Sequence, residues 1–335
     1  MNLYNPETCH QQLMYNSAGS LKFDPQKNFD EWKQSVAERF RELIGNLPEK
    51  VSHNVRIEYE RQTELFLEKR FVFTSEEYCE VPCHLLIPKA GRKPYPVVIC
   101  IQGHSTGMHI SLGRPKYEGD AELINGGRDF AIQAVNEGYA ALVIEQRCFG
   151  ERKDSNKPPA HMCHQGTVGA LLLGRTMVGE RTWDVSRAID VLGEFDELDT
   201  SRICCMGNSG GGTTTYYASC LDERIGVSMP SCSVCTYVDS IGTIYHCMDQ
   251  YIPGILKYFE MADLACMIAP RPLIVVAGRQ DPIFPIHGVE KAFETIKQIY
   301  MAAGVPDKCR LLTGDLGHQF YPELAWPVMK KLSGW

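Results

Sequence analysis

Three side chains that can together activate a hydroxyl and attack a carbonyl stand in order in the second half of this chain: Ser209, Asp281 and His318. Ser209 is the centre of Gly207-Asn208-Ser209-Gly210-Gly211, between a short apolar run (202–206) and a small-residue stretch (212–218). That pattern predicts a strand, a tight turn and a helix, with the serine hydroxyl raised at the apex. The first amides of the helix then point at whatever the serine attacks. Side chains at Gly207 or Gly211 would collide with the neighbouring strand and helix where the chain reverses so sharply. The chemistry this turn suits is acyl transfer through a serine.

The pentapeptide alone decides little, because a chain of this length carries G-x-S-x-G by chance about one time in ten. Gly103-His104-Ser105-Thr106-Gly107 matches it as well. Context separates the two matches. An apolar strand (96–101) leads into the first, but no amphipathic helix begins after Gly107, and Pro115 follows closely. Ser209 is therefore the expected nucleophile and Ser105 is not. The first match suits a different task. An oxyanion hole takes the amide after the nucleophile and a second from a loop after an early strand. Gly210 and His104 are the candidate backbone donors, with a plain flexible loop at 103–107 as the alternative.

A serine hydroxyl needs a base, and the base needs a carboxylate that fixes its tautomer. The apolar strand at 272–277 ends in a loop carrying Asp281, and the strand near Leu311 leads to Gly317-His318-Gln319-Phe320. Functional groups gather at the carboxyl ends of such strands. The competitors are Asp315, which suits a turn; Asp239, beyond an earlier strand; and His287, at the start of a helical pattern.

The elements that must position these groups alternate. After leading strands with period-two alternation (54–88), strands at 97–101, 139–144, 202–206, 225–229 and 273–277 interleave with helices near 130–137, 183–198, 212–221 and 289–303. That rhythm predicts an α/β architecture: a mostly parallel central sheet with helices on both faces and antiparallel leading strands. Residues 1–50 read as an N-terminal helical extension whose stripe of Phe29, Trp32, Val36, Phe40 and Leu43-Ile44 is a packing face, either on the α/β body or against another subunit. Residues 51–335 read as the α/β domain, with insertions near 151–180 and 231–262 on the carboxyl side of strands, where they shape a pocket.

Composition bounds the function. The chain has 335 residues, 44% hydrophobic and 22% charged, with a net charge of −7. No basic stripe suggests a nucleic-acid partner, and no apolar run reaches the roughly 20 residues that span a membrane. The opening residues show no basic segment followed by an apolar one, so a cytoplasmic protein is expected. Fourteen cysteines then stay reduced, many as small core hydrophobes. Cys232-Ser233-Val234-Cys235 lacks a second pair, and His161-Met162-Cys163-His164 lacks an evident partner, so no metal and no organic cofactor are expected.

Gln102-Gly103-His104, the run from Glu145 to Glu151, the run from Trp183 to Ala188, the Ser209 pentapeptide, Asp281 and Gly317-His318-Gln319-Phe320 together resemble the acetyl xylan esterase-like branch of the α/β-hydrolases. That branch borders the dienelactone hydrolase and prolyl oligopeptidase groups. The resemblance, over residues 55–325, implies the α/β-hydrolase fold, a Ser209–Asp281–His318 triad, and Gly210 with the His104 turn as oxyanion hole. The Glu145–Arg152 segment resembles the loop after the fourth strand, where such enzymes often carry an Arg-Gly run; Cys148 replaces the small residue here, and no catalytic role is expected of it. Dienelactone hydrolases proper carry cysteine where this chain has Ser209, and secreted xylan-degrading relatives carry export signals that this chain lacks. The expectation is a serine carboxylester hydrolase, a deacetylase of small acetylated carbohydrates, with homo-oligomers left open. The rivals are a serine peptidase or thioesterase of the same fold, a non-catalytic binding protein, and a thiol redox or metal sensor. Fifty leading residues cannot build the β-propeller that usually filters peptides in prolyl oligopeptidases.

Overall fold

The computed structural model describes residues 4–153 and 163–335. Two helices, α1 (Pro6–Tyr15) and α2 (Phe29–Leu43), precede the sheet. The Asn28 side chain caps α2 by accepting from the amides of Asp30 and Glu31, which satisfies two donors with no partner inside the helix. Trp32, Val36 and Phe40 are buried on one face of α2, and the Phe40 ring lies 5.5 Å from Tyr217 and 6.4 Å from Phe259. The stripe thus packs on the α/β body.

Strands β1 (Arg56–Gln62), β2 (Phe66–Glu76) and β3 (Cys79–Pro88) pair antiparallel. β1 is exposed throughout, because it is the sheet edge, so Ile57 and Tyr59 alternate without being buried. Then follow β4 (Tyr95–Ile101), α3 (Asp120–Leu123), α4 (Phe130–Asn136), β5 (Ala140–Ile144), α5 (His164–Leu172) and α6 (Met177–Leu192). The chain continues through β6 (Leu198–Asn208), α7 (Gly210–Leu221), β7 (Ile225–Ser231), β8 (Leu273–Gly278), α8 (Ile286–Ala302), β9 (Cys309–Gly314) and α9 (Pro322–Ser333). Among the described residues these strands form one sheet in the order β1-β2-β3-β5-β4-β6-β7-β8-β9. It is parallel from β5 to β9.

Side-chain alternation divides the core. Val98 and Cys100 of β4 join Phe130, Trp326 and Met329 of α4 and α9, whereas Val97, Ile99 and Ile101 join Val185 and Ala188 of α6 on the other face. The helix expected at 183–198 starts earlier and ends earlier. The Thr176 hydroxyl caps it by accepting from the Gly179 amide, and Leu198 already pairs with Tyr95 in the sheet. This is the mostly parallel α/β-hydrolase arrangement. Its parallel strands end on the side where α7 begins, and the loops carrying the candidate residues leave there.

Candidate active site

β6 ends at Asn208 and α7 starts at Gly210, so Ser209 alone makes the turn, with φ 57° and ψ −127°. A non-glycine residue in that region costs on the order of 1–3 kcal/mol. The surroundings hold it there. A Cβ on Gly207 would lie 2.5 Å from the Gly211 carbonyl oxygen, and one on Gly211 would lie 2.7 Å from the Gln102 carbonyl carbon. Asn208 and Gly210 are buried while Ser209 is partly exposed. Ser105 is buried instead, its hydroxyl accepting from the Gly107 amide at 3.4 Å, and only a short turn (Met108–Ile110) follows it.

Asp281 follows β8 and His318 follows β9. His318 Nδ1 lies 2.7 Å from Asp281 Oδ2. The other carboxylate oxygen, Oδ1, accepts from the amides of Ile283 (2.8 Å) and Phe284 (3.1 Å). Burial pushes the Asp281 carboxyl up, but the His318 hydrogen bond and charge, with those two amides, hold it below its ordinary value. The Phe284 ring stacks on His318 at 6.1 Å, 14° from parallel, and fixes the plane of the imidazole.

Buried Arg128 connects this pair to the serine turn. Its Nη2 donates to the His318 carbonyl at 3.0 Å. In the orientation that satisfies the Asn208 amide, the same nitrogen donates to Asn208 Oδ1 at 3.2 Å, and Asn208 donates to Ser231 Oγ. The Ser209 amide donates to the Ser231 carbonyl at 2.9 Å. Arg128 had no signal in the sequence, since a lone arginine before a helix reads as surface.

The loop after β4 lies against the turn. A Cβ on Gly103 would stand 2.8 Å from Ser209 Cβ and 3.2 Å from the Gly210 nitrogen, and one on Gly210 would stand 3.1 Å from His104 Nδ1. Gly210 and His104 are therefore side by side at the head of α7, where helix amides lack internal partners. The Glu145–Arg152 loop fastens this arrangement from below. Gln146 donates to the Gln102 carbonyl and accepts from Thr214 of α7, while Glu145 accepts from the amides of Met108 and Glu151.

Behind His104 lies a second polar group that the sequence did not connect. His104 Nε2 is 3.1 Å from Asp249 Oδ2, which also takes Arg181 Nη1 at 2.5 Å. Burial lowers the His104 pKa, but hydrogen bonds with Asp249 and Cys247 outweigh it and lift it to about 9. Burial, with the charges of His104 and His318 nearby, depresses His246 to about 4. The competitors from the sequence lie elsewhere. Asp239 faces His287 and Lys291, each at 3.8 Å, and exposed Asp315 faces Arg279. Cys232, unlike Cys235, has its sulfur within 4.8 Å of both Asp281 and His318 ligand atoms. His161 lies outside the described residues. No helix among the described residues is long and apolar enough to cross a membrane.

Known proteins share this architecture. The sequence model of the Abhydrolase family matches residues 10–191. YtaP of Bacillus subtilis (strain 168), which carries the name of a hydrolase, is 26% identical over 284 residues, covering 82% of this chain and 90% of that one. A Bacteroides fragilis NCTC 9343 structure carrying the name of an acetyl xylan esterase superposes with a TM-score of 0.81 at 17% identity, over 99% of this chain and 95% of that one. A glucuronoyl esterase from Solibacter usitatus superposes at 0.71 with 15% identity, over 96% and 97%.

Proposed function

This chain belongs to the Abhydrolase family, and on that premise we propose that it is a serine carboxylester hydrolase that removes acetyl groups from small acetylated carbohydrates. The observation that carries the reading is the part-buried Asp281–His318 hydrogen bond, on the loop that Arg128 joins, through the His318 carbonyl and the Asn208 amide, to the turn of Ser209. With Nδ1 committed to Asp281, Nε2 of His318 is the nitrogen that takes the Ser209 proton as the hydroxyl attacks the ester carbonyl. Asp281 fixes that tautomer and stabilises the imidazolium. The amides of Gly210 and His104 receive the oxyanion, aided by the positive end of α7. His318 then protonates the departing alcohol. Water, deprotonated in turn by His318, releases the acyl group from Ser209. No metal or organic cofactor enters these steps.

The acetyl preference rests on the wall of the site. His104 and Gln250 stand next to Gly210, and His246 packs on the Phe284 ring that stacks on His318; each buried methylene of a longer acyl tail needs apolar cover worth about 0.8 kcal/mol. The leucines of the Leu171–Leu173 run are exposed, Leu172 at 88%, and so are not packed as the wall of a closed channel. The carbohydrate esterase names of the structural neighbours support the choice of alcohol. The test is a series of aryl esters of increasing acyl length, followed by acetylated sugars. Catalytic efficiency is expected to fall beyond acetyl. A steady climb from two-carbon to eight-carbon esters contradicts the deacetylase reading and favours a lipase-like or thioesterase role.

A further inference from the structure

We propose that His104, Cys163, Cys247 and Asp249 bind a zinc ion that fastens the loop after β4 to the two segments inserted above the sheet. The four side chains come from three separate parts of the chain, and one ligand atom from each lies within 4.8 Å of all the others. His104 Nε2 is 3.1 Å from Asp249 Oδ2 and 3.9 Å from Cys163 Sγ. A tetrahedral zinc with bonds of about 2.0–2.3 Å sets its ligand atoms roughly 3.3–3.8 Å apart, so these two separations need a few tenths of an ångström and the widest pairs, within 4.8 Å, draw in by up to about 1 Å. Cys163 and Asp249 are buried, and Cys247 and His104 are partly so.

The donor set selects the metal. Two thiolates with an imidazole and a carboxylate suit zinc, whereas calcium and magnesium take oxygen ligands. Charge also balances: two thiolates and a carboxylate face the divalent ion and the Arg181 guanidinium. Arg181 donates to Asp249 and approaches Cys163 Sγ at 3.4 Å, as an outer partner that orients ligands does. Four protein donors close the coordination shell, which marks a structural site with no open position for water. Cys163 lacked an evident partner in the sequence because His104, Cys247 and Asp249 lie far from it along the chain. The ion would hold the His104 ring, and with it the backbone beside Gly210, against residues 163 and 247–249.

The site adjoins the proposed oxyanion hole through His104, but its metal content is read without any activity assay, so the inference and the esterase reading can fail separately. The full chain, purified from zinc-supplemented cells and desalted, is analysed for metal by mass spectrometry. About one zinc per chain is expected, retained in Ser209→Ala and in Cys9→Ser, which alters an exposed cysteine. A Cys163→Ser/Cys247→Ser double variant should lose at least about tenfold of the bound zinc. Should that variant fail to fold, the wild-type chain decides. Stripped with a chelator and titrated with cobalt, it should show thiolate-to-cobalt charge-transfer and tetrahedral ligand-field bands, which zinc then abolishes. Wild-type protein that neither carries zinc nor takes up cobalt overturns the proposal. So does zinc content unchanged in a folded double variant, or a Cys163–Cys247 disulfide in the zinc-free protein as purified.

Discussion

Gly103 and Ser209 stand so close that a methyl group on Gly103 would lie 2.8 Å from Ser209 Cβ and closer still to the Asn208 carbonyl oxygen. Both obstacles belong to the strained turn at Ser209, so neither can swing aside as a flexible side chain would. The contact sets the distance between the loop after β4 and the head of α7, and hence between the two amides assigned to the oxyanion.

Gly103→Ala is therefore expected to lower kcat/KM by at least about a hundredfold, the scale of losing one oxyanion donor. Gly169→Ala is the control, since a Cβ there meets nothing within 4 Å and alanine favours a helix interior by up to about 1 kcal/mol. Steady-state kinetics on both variants check this. Unchanged kinetics in Gly103→Ala would mean that the loop is not part of the oxyanion site.

Asp281→Asn should lower kcat by about 10⁴, because the amide stabilises the wrong imidazole tautomer. Asp239→Asn should cost little, since Asp239 serves Thr236, His287 and Lys291. In the same way His318→Ala should lose several orders of magnitude and His287→Ala almost nothing. The reverse ranking in turnover assays moves the acid or the base to the other pair.

Glu145 makes the stability of the fold depend on pH. The residue is 2% exposed. Burial raises its pKa to about 7 against the pull of the Met108 and Glu151 amides. The folded chain thus keeps a proton that the unfolded chain releases near pH 4.5. The stability this contributes is complete below that value and is lost as pH rises through 7, by about 3 kcal/mol in all. Urea unfolding at pH 5 and pH 8 should show that extra loss in the wild type and not in Glu145→Gln. Parallel pH dependences in the two proteins contradict it.

Local features were legible in the sequence because local rules govern them. The glycines around Ser209 announce a turn, and the parallel strands announce themselves as apolar runs. The helix expected at 183–198 was displaced because its start depends on Thr176, a cap lying before a run of buried polar residues that includes Glu180, Arg181 and Asp184. Those side chains break the amphipathic pattern and are satisfied by ion pairs, Glu180 and Asp184 with Arg147 and Arg181 with Asp249. The group around His104 was illegible for a related reason. Residues 104, 163, 181, 247 and 249 share no spacing, and only the strand order of the sheet brings their loops together. Arg128 likewise gains its role from two distant carbonyl groups, of His318 and the Asn208 amide.

Covalent labelling with a fluorophosphonate probe, followed by peptide mapping, tests the central claim most directly. The probe reacts with a serine only where a base activates it and donors receive the phosphonyl oxygen. The account predicts a single modified peptide containing Ser209, with the label lost in Ser209→Ala and kept in Ser105→Ala. A label on Ser105, or one that persists in a folded Ser209→Ala protein, contradicts it.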